Sequence, residues 1–310
     1  MQPFGLLQDA QFENTWLSIG AFDGVHLGHQ AILKNLVAGA HQDGAPAVVL
    51  SFFPHPVEVL RGPLDSFYLS SPEDKAAQIE ALGVDALITQ AFDLEFSQTS
   101  AREFVEQLKQ RLGLKRLWVG EDFALGHNRE GNVARLRELG AELDFAVDVV
   151  APVETEGGVV SSSRIRRLLA DGEVKVAARL LGRRYAVRGE VVRGAGRGAS
   201  IGLPTANLKL WPKLAVPASG VYACWAEVAG ARWAAVANIG VRPTFEDKLE
   251  APVVEALLLD YDGEDFYGEE LQLQFVTRLR SEQKFESVEA LLTQVESDKQ
   301  RGREILMGSR

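Results

Sequence analysis

The sequence predicts an α/β doubly wound parallel sheet in its first half and an antiparallel β-barrel with a C-terminal helix in its second. Three observations carry this. Short apolar runs alternate with helical patterns up to residue 150, the rhythm of βαβ units. After residue 185 the pattern changes to β-rich segments separated by glycines, the rhythm of a barrel or sandwich. The tail from Lys284 to Leu306 then carries apolar residues at helical spacing. A chain of 310 residues accommodates two cores, since single ones stop growing near ~250–300 residues.

The first half reads in order. "WLSIG" (16–20), "AVVLSFF" (47–53), "VDALIT" (84–89), "RLWVG" (116–120) and "FAVDVV" (145–150) are expected as buried strands. Helices are expected over "GHQAILKNLVAGA" (28–40), "SPEDKAAQIEALG" (71–83), "TSAREFVEQLKQRLG" (99–113) and "NVARLRELG" (132–140). Ser71-Pro72-Glu73 supplies an N-cap, a proline in the first turn and an acid, and Gly83 closes that helix. A basic helical stretch over 161–185 leads to strand-like "YAVRGEVVRG", "GVYACWAEVAG", "RWAAVANIG", "VVEALLLDYDG" and "LQLQFVTRLR". The domain boundary is expected at 183/184, giving domains 1–183 and 184–310.

Composition narrows the class. Hydrophobic residues at 46% and charged ones at 25% are ordinary for a soluble globular protein. The longest apolar stretches, such as "APAVVLSFF", reach about half the ~20 residues that cross a bilayer, so no membrane association is expected. The first sixteen residues lack a basic segment leading into an apolar one, so no secretion signal is expected. A single cysteine, Cys224, makes no internal disulfide and fits a reducing cytoplasm. A net charge of −10 argues against nucleic acid as the main partner, because neutralising phosphates takes surplus Lys and Arg. A small anionic ligand held by a local cluster remains compatible.

The densest stretch is "SIGAFDGVHLGHQAIL" (18–33), where the first strand hands over to a helix. Ligands of doubly wound sheets bind beyond the carboxyl ends of the strands. Free backbone N–H groups and the helix dipole make a helix start receptive to phosphate, and glycines let the backbone approach it. His26 and His29 offer donors that stabilise charge on a transferring α-phosphate. Two alternatives stay open on these residues alone: satisfied histidines at a helix start, and an i, i+3 metal pair, for which no Cys, Glu or third His falls nearby. In the second half, "RGAGRGASIGLPTANLKL" (193–210) combines Gly194, Gly196, Gly198 and Gly202 with Thr205 and Asn207. Two oxygen-bearing side chains two residues apart, with phosphate oxygens and water, are what Mg²⁺ takes.

Here a resemblance adds to the reading. G-x-F-D-G-V-H-x-G-H over residues 20–29 resembles the nucleotidyltransferase signature of the bacterial bifunctional riboflavin kinase/FMN adenylyltransferase family, the FAD synthetases. H-x-G-H alone is shared by many adenylyl- and cytidylyltransferases, so it fixes chemistry and not substrate. "SFFPHP" (51–56), the E-x-K … LGVD run from Glu73, "VGEDFALGHNREG" (119–131) and "VVSSSRIRRLL" (159–169) resemble further blocks of the family. In the second half the P-T-A-N segment, "VANIGVRPTF" (236–245), "VVEALLLDYDGEDFYG" and "LRSEQKFESVEALLTQVESD" resemble its riboflavin kinase blocks. The likeness runs from about residue 16 to about 305.

The resemblance implies a two-step enzyme that converts riboflavin to FMN with one ATP and FMN to FAD with a second, with Mg²⁺. It implies nucleotide binding by Gly20, Phe22, Asp23, Gly24 and Gly28, with His26 and His29 catalytic. Ser161, Ser162 and Ser163 are good N-cap residues, and with Arg164 and Arg166 they form a second phosphate clamp suited to the β- and γ-phosphates. In the barrel it implies Gly194, Gly196, Arg197, Gly198 and Gly202 around ATP, Thr205 and Asn207 on Mg²⁺, and Glu255 as base. Phe53, Asp122 and Phe123 are placed near the flavin by block position alone. Leu125, Ala199 and Leu203 depart from the family's usual Phe, Arg and Phe, and Ser163 replaces its usual Thr. Two rivals follow: a nucleotidyltransferase for another phosphorylated metabolite, and a flavin carrier whose catalytic sites have decayed.

Overall fold

The structure is a computed structural model describing residues 1–194, 205–241, 252–261, 263 and 265–308. Its strands are β1 (Gln2–Phe4), β2 (Thr15–Ile19), β3 (Ala47–Phe53), β4 (Ala86–Ala91), β5 (Leu114–Gly120), β6 (Ala124–Leu125), β7 (Gly131–Asn132) and β8 (Ala146–Val150). The short β9 (Glu154–Thr155) and β10 (Gly158–Val159) precede β11 (Ala186–Val192), β12 (Ala206–Leu210), β13 (Gly220–Val228), β14 (Ala231–Val241), β15 (Pro252–Leu258) and β16 (Glu270–Arg280). The helices are α1 (Leu27–Gln42), α2 (Pro56–Arg61), α3 (Pro72–Glu80), α4 (Ala101–Leu112), α5 (Val133–Leu143), α6 (Ser162–Ala170), α7 (Val174–Leu181) and α8 (Val288–Gly308).

The chain divides into two compact units, residues 1–64 with 70–162, and residues 65–69 with 163–310. This line falls within α6, whereas the expected domain boundary lies at 183/184. In the second unit α7 packs on β16, and the last turn of α6 accepts the Ala218 N–H at the Leu169 carbonyl, 2.9 Å away.

In the first unit the order is β1-β4-β3-β2-β5-β8, and every pairing is parallel. All five expected strands are present, but the fifth, β8, lies at an edge and is only partly buried rather than buried as expected, and β1 is added at the other edge. Alternation along β2 splits the core. Leu17 and Ile19 face the layer of Phe104, Leu108 and Leu136 from α4 and α5. Trp16 faces the layer of Leu33, Leu36 and Ile79 from α1 and α3. Helices therefore cover both faces, as a doubly wound sheet requires. β2 has β3 on one side and β5 on the other, so the sheet reverses direction there. The crevice at such a switch point lies beyond the carboxyl end of β2, where Gly20 begins the turn to α1.

Local chemistry accounts for the helix ends. Ser71 caps α3 by accepting from Asp74 N–H at 3.0 Å, with Pro72 at the first position. Ser100 and Glu103 form a reciprocal capping box on α4, and Gly113 ends it in the left-handed conformation. In the second unit the strands close as β11-β12-β15-β14-β13-β16, resolving the barrel-or-sandwich choice to a barrel. Tyr222 and Phe275 fill its interior edge to face, 5.3 Å apart. α8 covers one outer face through Leu306, against Val221, Val236 and Leu279.

Packing at the end of α5 is tight enough to test. A Cβ on Gly140 lies 2.4 Å from the Phe145 carbonyl oxygen, a backbone atom that β8 holds in place. Gly140→Ala is expected to lower stability by about 1–3 kcal/mol despite the better helix propensity of alanine. Thermal and denaturant unfolding of the two chains checks this.

Candidate active site

The turn Gly20–Val25 is held by side chains from four other parts of the first unit. Ser51, fully buried on β3, donates Oγ–H to the Ala21 carbonyl at 3.1 Å. Lys75 of α3 donates to Ser51 Oγ at 2.8 Å and to the Ala21 carbonyl at 3.3 Å. Ser70 Oγ accepts the Gly24 N–H at 3.3 Å, and Ser162 at the start of α6 donates to the Asp23 carbonyl at 2.9 Å. Within the turn Phe22, Gly24 and Val25 have φ of 48°, 77° and 36°, all left-handed. Only glycine takes that conformation at no steric cost. The other two are held there by burial, at 2% and 1% exposure.

His26 is the N-cap of α1: its Nδ1 accepts the His29 N–H at 3.3 Å. An imidazole accepting at Nδ1 carries its proton on Nε2, so His26 presents a donor on its other edge. His29 stacks on it with centroids 3.6 Å apart and 17° between planes, and Phe22 meets His29 edge-on at 5.2 Å. Parallel stacked rings do not converge their nitrogens on one ion, which weighs against a metal pair. Gly28 explains itself here, since a Cβ would lie 3.1 Å from the His26 ring. Ser161 sits half-buried just before α6, with the Val160 carbonyl facing Gly28. The first unit thus gathers Gly20, Phe22, Asp23, Gly24, His26, Gly28, His29, Ser161 and Ser162.

Electrostatics set the charge of this cluster. His29 is held well below the ordinary imidazole range, first by burial and then by His26 and the Lys75 ammonium. Its Nδ1 is buried without a hydrogen-bond partner. Lys75 is pushed down to about 8 by burial, with Asp23 opposing the shift. Asp23 itself is only 3% exposed. Lys75 lies within the E-x-K block, but a lysine in a helix's first turns reads as solvated, so sequence reasoning missed it.

The remaining first-half candidates are more dispersed. Ser163, Arg164 and Arg166 lie on α6 within the second unit. There the Arg166 guanidinium lies 3.7 Å from the Phe67 ring centroid, and its Nε donates to the Phe67 carbonyl at 2.6 Å. Phe53 is half-buried at the end of β3, in register with Ala91. Asp122 is exposed, and its carbonyl accepts from Arg129 at 2.8 Å. Phe123 packs against the core, as does buried Leu125, so that departure acts on packing.

In the barrel, Asn207 pairs in register with Glu255 on β15, and Glu255 pairs with Asn238 on β14. Alternation places these three on one face and buried Ala206, Leu208, Val254, Ala256, Ala237 and Ile239 on the other. Gly194 crosses above Asn207 so closely that a Cβ would meet the amide nitrogen at 2.3 Å. Glu282 reaches Gly240, where a Cβ would meet its Oε1 at 2.7 Å. Asn238 and Glu282 went unassigned from sequence, though an asparagine between Ala237 and Ile239 in an apolar strand was a signal. Thr205 immediately precedes β12. Gly196, Arg197, Gly198 and Gly202, with Ala199 and Leu203, lie outside the described residues. Asn207, Thr205 and Glu255 offer only hard oxygen donors, which fits an Mg²⁺ that arrives with ATP phosphates. Among the described residues no group of three or more His, Cys, Asp or Glu is gathered as a metal cage.

Depressed His29 fixes a pH effect. The unfolded chain binds a proton there near pH 6.5 while the folded one does not, so His29 makes stability fall as pH drops through that range. A histidine-labelled NMR titration is expected to show His29 neutral at pH 7 and titrating below the ordinary range.

Known proteins bear directly on this arrangement. A family model described as FAD synthetase matches residues 8–164, and one described as riboflavin kinase matches residues 181–306. The chain is 36% identical over 302 residues to a bifunctional riboflavin kinase/FMN adenylyltransferase from Bacillus subtilis, covering 96% of this chain and 94% of that one. It is 39% identical to one from Pseudomonas fluorescens, covering 91% and 89%. A solved chain from Streptococcus pneumoniae, described as a macrolide-efflux protein, superposes with a TM-score of 0.88 at 32% identity, covering 97% and 98%. Among the described residues no helix is long and apolar enough to cross a membrane. With both halves matched over nearly their full length, the chain belongs to the bifunctional riboflavin kinase/FMN adenylyltransferase family, the enzymes that make FAD from riboflavin.

Proposed function

We propose that residues 184–310 transfer the γ-phosphoryl of ATP to riboflavin, and that residues 1–183 join the resulting FMN to the α-phosphate of a second ATP, releasing pyrophosphate. The observation that carries the second step is the tied turn at the carboxyl end of β2, with two stacked imidazoles at the start of α1. FMN brings its own phosphate nucleophile, so positioning and charge stabilisation supply most of the rate and no covalent enzyme intermediate is needed.

In the adenylylation site, Gly20, Gly24 and Gly28 let the backbone approach the nucleotide. His26, with its proton on Nε2, donates to the α-phosphate as charge builds there, and neutral His29 supports it from the stacked face. Ser161, Ser162, Ser163, Arg164 and Arg166 take the outgoing pyrophosphate. Stacking on Phe67 limits the conformations of the Arg166 guanidinium before any ligand arrives. Phe53, Asp122 and Phe123 remain proposed flavin neighbours.

In the kinase site, Glu255 accepts the proton of the ribityl 5′-hydroxyl as that oxygen attacks the γ-phosphorus. Asn207 and Thr205 hold Mg²⁺, which when bound neutralises charge on the phosphate oxygens. Gly194 and the glycine-rich segment through Gly202, with Arg197, wrap the nucleotide. Asn238, beside Glu255 across the strands, orients the carboxylate. The small-molecule substrates are ATP, riboflavin and FMN, and the reading places the protein in the cytoplasm without nucleic acid or membrane as partner. A carrier with decayed sites is disfavoured because the chemistry-bearing side chains are all retained.

Chromatography of the flavins formed from riboflavin, ATP and Mg²⁺ tests this, with FMN and then FAD expected. His29→Ala is expected to lower FAD formation by about 10²–10³ while sparing riboflavin phosphorylation, and Glu255→Ala to do the reverse. Equal loss of both steps in either folded variant contradicts the division of labour. Gly194→Ala, by displacing Asn207, is expected to lower riboflavin phosphorylation about 10-fold or more while leaving FMN adenylylation intact, measured on each step separately.

A further inference from the structure

Lys75, the lysine of the E-x-K block, stands out among the titratable groups to which no role has been assigned. It is 7% exposed, although lysines are almost never this buried without a reason. Its ammonium reaches the Ser51 hydroxyl at 2.8 Å, the Ala21 carbonyl at 3.3 Å and the Phe52 carbonyl at 3.5 Å. These three acceptors lie at the carboxyl ends of β2 and β3, the rim on which the adenylylation site is built. Lys75 does not close an ordinary surface ion pair. It ties two strand ends together from the helix beneath them.

The same ammonium acts on His29. Among the described residues the His26 ring on α1 stacks on this imidazole and the Phe22 ring in the turn meets it edge-on, while the charges acting on it are those of His26 and of Lys75 on α3, with buried Asp23 as the opposing charge on Lys75. A positive charge in a poorly solvated site disfavours a second one nearby. The placement therefore does two things at once: it fixes the turn that approaches phosphate, and it keeps the histidine cluster from accumulating positive charge as the pH falls.

We propose that Lys75 is a positioning residue for adenylyl transfer, anchoring the Gly20–Gly24 turn to the end of β3 and holding a positive charge beside His29. This rests on the adenylylation reading of the same site. Three variants of the full chain test it. Lys75→Gln keeps a hydrogen-bond donor for Ser51 and removes the charge, Lys75→Met removes both, and Lys75→Arg keeps the charge.

Histidine-labelled NMR follows the His29 titration in each, and the pH dependence of FAD formation from FMN and ATP is measured alongside. Lys75→Gln is expected to move the His29 midpoint and the acid limb of kcat/KM to higher pH, since a proton then binds without repulsion. Its kcat for FAD formation is expected to fall about 10²-fold, with riboflavin phosphorylation within twofold of the parent chain. Lys75→Arg is expected to hold the midpoint and limb where Lys75 holds them. If Lys75→Gln does not fold, Lys75→Met carries the same test of charge.

An unmoved His29 midpoint and unmoved acid limb in the folded neutral variants overturn the proposal. A parent chain that makes no FAD, yet whose His29 midpoint responds to Lys75 as described, refutes the functional reading and leaves the electrostatic role of Lys75 standing.

Discussion

The first unit is organised around a turn whose backbone is tied down largely by side chains from other elements. Between β2 and α1 the chain turns through left-handed conformations at the buried edge of a parallel sheet, where the strand ladder ends at Gly20 N–H on Leu50 and side chains take over part of the backbone pairing. These are Ser51 from β3, Lys75 from α3, Ser70 just before α3 and Ser162 from the start of α6. Leaving any of these buried groups unpaired costs about 1–3 kcal/mol, so the turn fixes where those elements must end. A loop tied from several other elements is a loop held in one place, as the proposed transfer at an α-phosphate requires.

The barrel reaches a comparable result by other means. Hydrogen bonds between strands place Asn207, Glu255 and Asn238 side by side without any loop. Sites on strands are positioned by the ladder itself, and specificity is then added by the segments that cross above it. Gly194 is such a crossing, pressed so near Asn207 that no side chain fits. The two halves therefore position their candidate side chains differently, one through side chains that trap a turn and the other through register.

What the sequence disclosed follows from the range of the forces involved. Apolar runs of five to seven residues marked β2, β3, β4 and β5, because strands in the middle of a parallel sheet need them, and a similar run marked β8 although that edge strand is only partly buried. β1 left no such trace: three residues, Gln2, Pro3 and Phe4, form an edge with no pattern to detect. The six-residue α2 was missed for the same reason of length, though His55 caps it and Pro56 opens it. His26, Gly28 and His29 were legible as a group, but the reason for Gly28, a neighbouring imidazole, exists only after the chain has turned. Lys75 was illegible because its burial is decided by elements more than twenty residues away.

The segment 65–69 gives the architecture an unusual seam. By sequence it belongs among the elements of the first unit, yet it is counted with the second. There Phe67 and Tyr68 N–H groups share the Lys213 carbonyl, Tyr68 packs on Trp211 at 4.8 Å, and Phe67 lies under Arg166. The polypeptide passes back and forth across the divide, so no single cut in the gene liberates both modules whole. A fragment starting at Ser163 would leave its own strap on the discarded piece, baring an indole and an unstacked guanidinium. The chain thus enters the second unit twice, and a cut between Ser162 and Ser163 parts residues 65–69 from the elements they pack on.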